Sequence, residues 1–242
     1  MKKSLVKKIM IAITILILLC AAIFLVWTQM TYKAVSVPAI NMDSNYIDED
    51  DWIIYGNEDS SVGLILYPGA KVEPNAYAYL AQELSKNNML VVIPNVLLNL
   101  AIFDYSKADE IIGNYKEVNW IVGGHSMGGA AAAMYADANL DKVKGVILLG
   151  SYSAENDNLS KSRLPVLSIS GSNDGLSTPE KIDDRKENLP TTTEFFEIMG
   201  GNHAQFGVYG EQSGDKEADI SVKEQQDKIV ESIKAWINKE IK

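Results

Sequence analysis

A serine in a glycine-rich turn is the residue of this chain best suited to chemistry. Ser126 stands in the G-x-S-x-G pattern Gly124-His125-Ser126-Met127-Gly128, after the apolar, β-branched run 119–122 and before the helix-forming run 127–138. A strand that reverses sharply into a helix strains the backbone of the serine, and side chains two positions on either side would collide. The pattern therefore predicts a nucleophile elbow, with Ser126 Oγ exposed beside a helix N-terminus that favours negative charge.

A nucleophilic serine needs a general base, and the chain has two histidines, His125 and His203. His125 belongs to the turn itself, where we expect its side chain to point away from the neighbouring Ser126 Oγ. His203 follows the strand-like run 193–199 within GGNHAQFG, which places it in a loop at the carboxyl end of a strand. This is where α/β enzymes hold catalytic groups, so His203 is the predicted base, with a lone surface histidine as the alternative.

An aspartate between these two residues is needed to orient the histidine. Asp174 follows the strand-like run 166–170 in the turn SGSNDG, so it too is predicted at the carboxyl end of a strand. Three other aspartates compete less well. Asp157 lies in a polar linker, and Asp183 and Asp184 fall within a helix predicted to begin at Thr178-Pro179.

The pattern of the remaining chain predicts an α/β fold that positions these groups. Continuous apolar strands alternate with amphipathic helices, which is typical of a mainly parallel sheet with helices on both faces. The last helix is opened by a capping box, Ser221-x-x-Glu224. The expected strands are 52–55, 62–67, 89–93, 119–122, 143–149, 166–170 and 193–199, and the expected helices are 74–86, 104–115, 127–138, 179–188 and 222–238.

The N-terminus carries an apolar segment. Residues 9–27 contain no charge and no proline, and this length suffices to span a bilayer core of about 30 Å. Lysines at positions 2, 3, 7 and 8 precede it, and no acidic residue occurs before Asp43. The sequence therefore predicts a transmembrane signal-anchor at 9–27, with residues 1–8 cytoplasmic, 28–51 a linker, and 52–242 an extracytoplasmic domain.

A secreted protein released by signal cleavage is the alternative to this single-pass topology. No small-x-small cleavage site follows the apolar segment, because Tyr32 occupies the place of a small residue before Ala34. Cys20 is the only cysteine, and Leu18-Leu19 before it does not suit a lipoprotein signal. The exported part therefore has no disulfide, no thiolate nucleophile and no cysteine metal site.

Charge excludes some partners. The net charge is −10, and without the four leading lysines it is −14, which disfavours binding to nucleic acid and to anionic membrane surfaces. Contact with a membrane is therefore expected through residues 9–27. The acidic loop 211–219 contains Glu211, Asp215, Glu217 and Asp219, but its spacing fits no calcium loop. We expect a solvated loop there, with no metal and no organic cofactor.

Several blocks of the chain resemble the α/β-hydrolase superfamily, and within it the compact exported bacterial hydrolases of the dienelactone-hydrolase-like group. The blocks are LILYPGAKVEPNAYAYLAQEL, VVIPNVLLNLAIF, GGHSMGG, SGSNDG and GGNHAQFG, and together they extend over about residues 61–239. The order serine, aspartate, histidine is also that of the superfamily. The resemblance implies the α/β-hydrolase fold and a Ser126, Asp174, His203 triad.

The resemblance also implies an oxyanion hole formed by the backbone N–H groups of Met127 and Ala70. Many superfamily members have His-Gly in the loop before the second donor, whereas this chain has Pro68-Gly69. The backbone donor survives this change, but its position is less well defined by the sequence.

The expected activity is that of a serine hydrolase on carboxylic esters or related acyl compounds, either small molecules or envelope-derived. The segment 151–164 is too short for a large cap domain, so an open site is expected. The apolar residues after the strand 89–93 are predicted to line an acyl pocket; simple packing of these residues against the sheet is the alternative. The loop after His203, with Phe206 and Tyr209, is predicted to form the other wall. The residues of the first group are Val96, Leu97, Leu98, Leu100, Ile102 and Phe103.

Other functions share these features. Acyl transfer, thioester hydrolysis and peptide cleavage use the same triad, and the fold also serves as a non-catalytic binding module. The sequence leaves these alternatives open, as it does the oligomeric state.

Overall fold

The computed structural model describes residues 2–40 and 46–241. The chain begins with helix α1, Lys2–Thr28. Within its segment Ser4–Thr28, an 18-residue window reaches a mean hydropathy of 3.2 with none of its residues buried, so this helix is long and apolar enough to cross a membrane. The expected apolar span is thus a continuous helix, and a signal sequence would have the same properties.

The domain is built on a sheet of eight strands within the described residues. The strands are β1 (Ile47–Asp48), β2 (Trp52–Tyr55), β3 (Val62–Tyr67), β4 (Met89–Pro94), β5 (Asn119–His125), β6 (Gly145–Leu149), β7 (Val166–Gly171) and β8 (Glu194–Ile198). Their order is β1-β2-β4-β3-β5-β6-β7-β8, antiparallel across the first two pairs and parallel across the rest. The predicted mainly parallel sheet is confirmed.

Helices cover both faces of the sheet, as predicted. They are α2 (Ala78–Ser85), α3 (Lys107–Asn114), α4 (Met127–Ala138), α5 (Pro179–Asp183) and α6 (Val222–Glu240). Helices α2 and α6 pack on one face, where Leu80, Ile233 and Trp236 meet alternate residues of the central strands. Helices α3 and α4 pack on the other face through Ala108, Ile111 and the alanines of α4. Both faces are thereby removed from water, which explains why the central strands are apolar throughout.

Three predicted helices are shorter than expected. A 3-10 turn, Pro74–Tyr77, precedes α2, and another, Lys186–Asn188, follows α5. Helix α3 begins at Lys107 instead of Asp104. The carboxylate of Asp104 accepts a hydrogen bond from the Leu97 amide at 3.0 Å and closes a turn, as short polar side chains often do at helix boundaries.

The segment between α1 and the sheet differs from the expected free linker over its described part. The Tyr32 amide donates to the Lys71 carbonyl at 2.7 Å, and the Val35 amide donates to the Val208 carbonyl at 2.9 Å. The side chain of Ile40 is buried against Tyr79 and Val208. These backbone hydrogen bonds and the buried Ile40 attach the segment to the domain surface.

The segment between β6 and β7, which the structure describes in full, contains no helical cap. Residues 151–164 follow β6 as turns and irregular chain, in agreement with the expected short connection. The carboxyl ends of the parallel strands β3 to β8 consequently meet at one open edge, which we call the catalytic edge.

Candidate active site

Ser126 lies at the sharp turn between β5 and α4. Its backbone angles are φ 54° and ψ −122°, a conformation that non-glycine residues rarely adopt. The turn is held in place by its own hydrogen bonds: the Ser126 amide donates to the Leu149 carbonyl at 3.0 Å, and its carbonyl accepts from Ser151 Oγ at 2.6 Å and from the Gly129 amide at 3.0 Å. This is the geometry of a nucleophile elbow, in which surrounding contacts maintain local strain.

The glycines around Ser126 are required by close backbone contacts. A Cβ atom on Gly124 would lie 2.3 Å from the Gly128 carbonyl carbon, and one on Gly128 would lie 2.2 Å from the Tyr67 carbonyl oxygen. Both distances are far below van der Waals contact, and the opposing atoms belong to the backbone. The glycines therefore allow α4 to begin directly against the end of β3.

His203 and Asp174 form a buried pair at the same edge. His203 Nδ1 lies 2.7 Å from Asp174 Oδ2, and both side chains are shielded from solvent. The other oxygen, Asp174 Oδ1, accepts hydrogen bonds from the Leu176 amide at 2.8 Å and the Ser177 amide at 2.6 Å. The carboxylate therefore has a fixed orientation, and its bond to His203 places the ring proton on Nδ1 and leaves Nε2 free to accept a proton.

The imidazole ring of His203 contacts the elbow at the ring of His125. The centroids of the two imidazole rings are 4.6 Å apart, and His125 directly precedes Ser126 in the chain. No hydrogen bond joins Ser126 Oγ to His203 Nε2, which has no partner among the described residues. Bonds of this kind often form only when substrate is bound.

His125 takes part in a hydrogen-bond chain that leads to the loop after β3. The Gly69 amide donates to the Tyr77 hydroxyl at 2.8 Å, and this hydroxyl lies 2.9 Å from His125 Nδ1. Since the hydroxyl already accepts from Gly69, it donates to His125, whose own proton is then on Nε2. Burial is the main cause that lowers the pKa of His125 well below its usual value, followed by the nearby His203. His125 is therefore neutral.

The two predicted oxyanion donors lie on segments that touch. Helix α4 begins with Met127, and its first turn packs against Tyr67 and Pro68, two residues before Ala70. Among residues 2–40 and 46–241, the amides of Met127 and Ala70 donate to no other group, and both residues are partly exposed. They are thus free to donate to a substrate oxygen. The change from His-Gly to Pro68-Gly69 leaves this loop anchored through the Gly69 amide.

Asp215 joins the two loops that carry the buried pair. Its Oδ1 accepts from the Gly175 amide at 2.9 Å, and its Oδ2 accepts from the Ala204 amide at 2.8 Å. These amides directly follow Asp174 and His203 in the chain. The residue types predict a solvated acidic loop around Asp215, and only its position shortly after the histidine loop indicates a different role.

The predicted pocket residues separate into two groups. Leu97 and Phe103 are largely exposed beside the catalytic edge, and Leu98 lies between them in a 3-10 turn. Phe206 is fully buried instead, where it stacks on the ring of His125 at 5.7 Å, and Tyr209 is buried with its hydroxyl bonded to Gln212 at 2.7 Å. Both aromatic rings belong to the main core cluster. They therefore pack against the histidines from the core side and do not line an open pocket.

The competing acids lie away from His203. The carboxylate of Asp183 pairs with Lys186 at 2.6 Å, and Asp184 ends α5. Asp157 is nearly buried in the segment after β6, and burial raises its pKa. Of the four aspartates considered, the structure brings Asp174 alone against the histidine.

The strand order, the elbow and the loops at the catalytic edge define the α/β-hydrolase fold. A sequence profile described as "Alpha/beta hydrolase family" matches residues 63–227. The chain belongs to this family, which confirms the superfamily expected from its motifs. A comparison with curated protein sequences gave no match.

Solved structures of hydrolases share this architecture. An α/β hydrolase from a sediment metagenome of the Mar Chica lagoon, Morocco, is 15% identical, with a TM-score of 0.63 over 81% of this chain and 98% of that chain. The dienelactone hydrolase of Anabaena variabilis is 16% identical, with a TM-score of 0.61 over 79% and 92%. A thermophilic esterase from Thermogutta terrifontis is 14% identical, with a TM-score of 0.59 over 78% and 92%. At these identities the likeness concerns the fold.

Proposed function

We propose that this α/β hydrolase is a serine hydrolase that cleaves carboxylic esters or related acyl compounds through an acyl-enzyme intermediate. One observation carries the proposal: a buried His203–Asp174 pair, 2.7 Å apart, lies at the same sheet edge as a serine in the strained backbone of an elbow, and the His203 ring contacts His125, the residue before that serine. A serine, an oriented base and a buried acid are the three parts that acyl transfer needs. The esterases and hydrolases of the same fold agree with this class of reaction.

The proposed reaction begins when Ser126 Oγ attacks the acyl carbon and His203 Nε2 takes the hydroxyl proton. The amides of Met127 and Ala70 then donate to the oxygen that becomes negative, each contributing about 3 kcal/mol, or roughly a hundredfold in rate. The leaving alkoxide takes the proton from His203, and the acyl group stays on Ser126. Water, deprotonated by His203, attacks the acyl-serine and releases the carboxylic acid.

Asp174 acts through His203 in this scheme. Its carboxylate fixes the tautomer with the proton on Nδ1 and stabilises the imidazolium that forms in each half-reaction. His125 assists by being neutral, because a charged ring 4.6 Å away would repel that imidazolium. Neither step requires a metal or an organic cofactor.

A fluorophosphonate probe tests the proposal directly, since it reacts with activated serines. The wild-type chain should become labelled on Ser126, and Ser126→Ala should not be labelled. A wild-type chain that resists the probe and does not turn over short p-nitrophenyl esters would instead be a non-catalytic binding module. The products formed from ester, thioester and amide substrates, with and without an added acyl acceptor, then distinguish hydrolysis from acyl transfer and from peptide cleavage.

A further inference from the structure

The end of helix α1 is fixed to the domain. Thr28, the last residue of α1, is fully buried, and its carbonyl accepts a hydrogen bond from Asn99 Nδ2 at 3.0 Å. The Nζ atom of Lys71 lies 4.2 Å from the centre of the Trp27 ring, a cation–π contact. Four residues beyond α1, the Tyr32 amide donates to the Lys71 carbonyl and the Tyr32 carbonyl accepts from the Glu73 amide. The domain is therefore attached directly to the helix end and does not hang from a free tether.

These attachment points lie at the catalytic edge. Lys71 directly follows Ala70, one of the two proposed oxyanion donors, and Asn99 lies in the loop that follows β4. The Lys71 amide donates to the Asn99 carbonyl at 2.8 Å, so the two loops form one surface. Lys71, Leu98 and Asn99 all have positive φ angles near 57°, from 56° to 58°, which marks a tightly constrained junction.

Apolar side chains are exposed around this junction. Met30, Leu97 and Phe103 are 65%, 58% and 52% exposed, and Leu97 is bonded through its amide to the residue after Phe103. The aromatic residues Trp27 and Tyr32 lie around Lys71 near the end of the apolar helix, and membrane proteins concentrate tryptophan and tyrosine at such positions. We call Met30, Leu97 and Phe103 the apolar rim.

From this arrangement we infer that the substrate is a carboxylic ester of a membrane-resident lipid, taken from the bilayer that α1 spans. The inference rests on the proposed function and names its substrate class. If α1 crosses the membrane, its last residue lies near the bilayer surface, and the junction then holds the apolar rim and the catalytic edge at that surface. A long acyl chain can pass from the bilayer along the rim toward Ser126 without crossing water, and its transfer from lipid to the rim keeps its apolar surface covered.

The overall reaction is hydrolysis of the lipid ester with one water. Ser126 Oγ forms a bond to the acyl carbon as the bond to the lipid alkoxide breaks, and the alkoxide leaves with the proton carried by His203. Water then cleaves the acyl-serine. The products are a fatty acid and the lipid with one free hydroxyl group.

The test uses the full chain in phosphatidylcholine–phosphatidylglycerol vesicles and two substrates. Fatty acid released from the vesicle lipids is measured by mass spectrometry, and water-soluble p-nitrophenyl butyrate reports the chemistry alone. A flexible insertion of twenty Gly and Ser residues between Thr28 and Gln29 is combined with Lys71→Gly and Asn99→Gly, which remove the side-chain contacts to Trp27 and Thr28 and keep the positive φ angles. The combined variant moves the domain about 25 Å from the helix end. A matched control places the same insertion at the exposed turn Leu140-Asp141, at the opposite edge of the sheet. Rates are normalised to the amount of protein whose domain is accessible to added protease.

We expect the insertion after Thr28 to reduce lipid hydrolysis about tenfold or more, because the bilayer no longer supplies substrate at a high effective concentration. Hydrolysis of p-nitrophenyl butyrate should stay within twofold of wild type, and the control insertion should alter neither rate. Met30→Glu, a single change at an exposed position, should also reduce lipid hydrolysis while keeping the soluble ester rate.

Three results would overturn the inference. Equal lipid hydrolysis with and without the insertion would show that attachment at the junction is irrelevant to substrate supply. A parallel fall with both substrates would give the junction a structural role only. Wild-type hydrolysis of the soluble ester without any lipid hydrolysis would refute the substrate class and leave the proposed function intact, whereas failure with both substrates would refute the proposed function itself.

Discussion

The imidazole rings of His125 and His203 lie 4.6 Å apart between the elbow and the buried acid. His125 is bonded at Nδ1 to the Tyr77 hydroxyl, at 2.9 Å, and is stacked on Phe206. Burial raises the pKa of Tyr77, so the Tyr77 hydroxyl keeps the proton that it donates to His125. The His203 ring thus lies against a neutral, buried ring whose hydrogen bonds lead to the loop of Gly69.

This arrangement predicts how stability depends on pH. The folded protein keeps His125 neutral because its pKa is well below the ordinary value of 6.5, whereas the unfolded chain binds a proton there. The stabilising contribution is therefore complete above about pH 6.5 and is lost as the pH falls below it. Between pH 7.5 and 5.5 this group alone should reduce the free energy of unfolding by about 1 kcal/mol.

His125→Gln tests this prediction, since glutamine does not titrate. Urea unfolding at pH 7.5 and pH 5.5 should show a smaller loss on acidification for the variant than for wild type. The variant itself should cost about 1–3 kcal/mol at pH 7.5, because the buried Tyr77 hydroxyl keeps a less suitable partner. An identical pH dependence in both proteins would mean that His125 is not the group responsible.

Ser126→Ala is expected to abolish hydrolysis of short p-nitrophenyl esters. The residual kcat should lie below about one thousandth of wild type, while the melting temperature stays the same or rises, because no buried hydrogen bond of the Ser126 side chain is lost. Ser213→Ala, at an exposed position, is the matched control and should keep full activity. Retained turnover in Ser126→Ala would identify a different nucleophile.

Asp174→Asn should lower kcat about 10⁴-fold. An amide at this position favours the histidine tautomer with its proton on Nε2, which cannot accept a proton from Ser126. Asp157→Asn changes a carboxyl group of similar burial in the segment after β6, and its kcat should stay close to wild type. Steady-state kinetics on one soluble ester compare the two variants, and the reverse order of effects would transfer the acid to the earlier position.

Asp215→Asn should lower kcat about tenfold with KM nearly unchanged. The variant loses one of the two acceptors that bind the Gly175 and Ala204 amides, at a cost of about 1–3 kcal/mol, and the loops of Asp174 and His203 become less well aligned. Glu217→Gln removes a charge from the same loop at an exposed position and should leave kcat unaltered. Equal effects of the two variants would point to the charge of the loop as a whole.

The sequence was sufficient to predict the class of fold. Strands β2 and β3 have the expected bounds, and the apolar runs before Asp174 and His203 form β7 and β8. For the central strands this succeeded because burial on both faces of a parallel sheet leaves a continuous apolar signal, whereas β8 is an edge strand whose Phe195 and Phe196 are exposed. Helix bounds were less accurate, since side chains such as that of Asp104 compete with the first turn of a helix.

The triad and the oxyanion donors stay predictions, and the geometry supports them. Contacts between segments distant in the chain could not be predicted from the sequence. Tyr77 follows the periodicity of an ordinary core residue of a helix, yet its hydroxyl joins Gly69 to His125. Asp215 resembles its exposed neighbours in the acidic loop. Residues 28–40 carry scattered apolar side chains, and their attachment to the domain also depends on backbone hydrogen bonds that leave no pattern in the residue types.

The last prediction concerns topology. Four lysines before a long apolar helix without a small-residue cleavage site should produce an uncleaved anchor, with the N-terminus in the cytoplasm and the domain outside. Protease added to intact cells should digest the domain. The untreated protein should remain with the membranes after a high-salt wash, because salt screens charges but does not extract a spanning helix. A shortened, fully soluble form in the medium would identify the segment as a cleaved signal, and a domain protected in intact cells would reverse the orientation. The buried Thr28 carbonyl also favours retention of the helix, since cleavage there would remove the partner of Asn99 and expose the junction beside the catalytic edge.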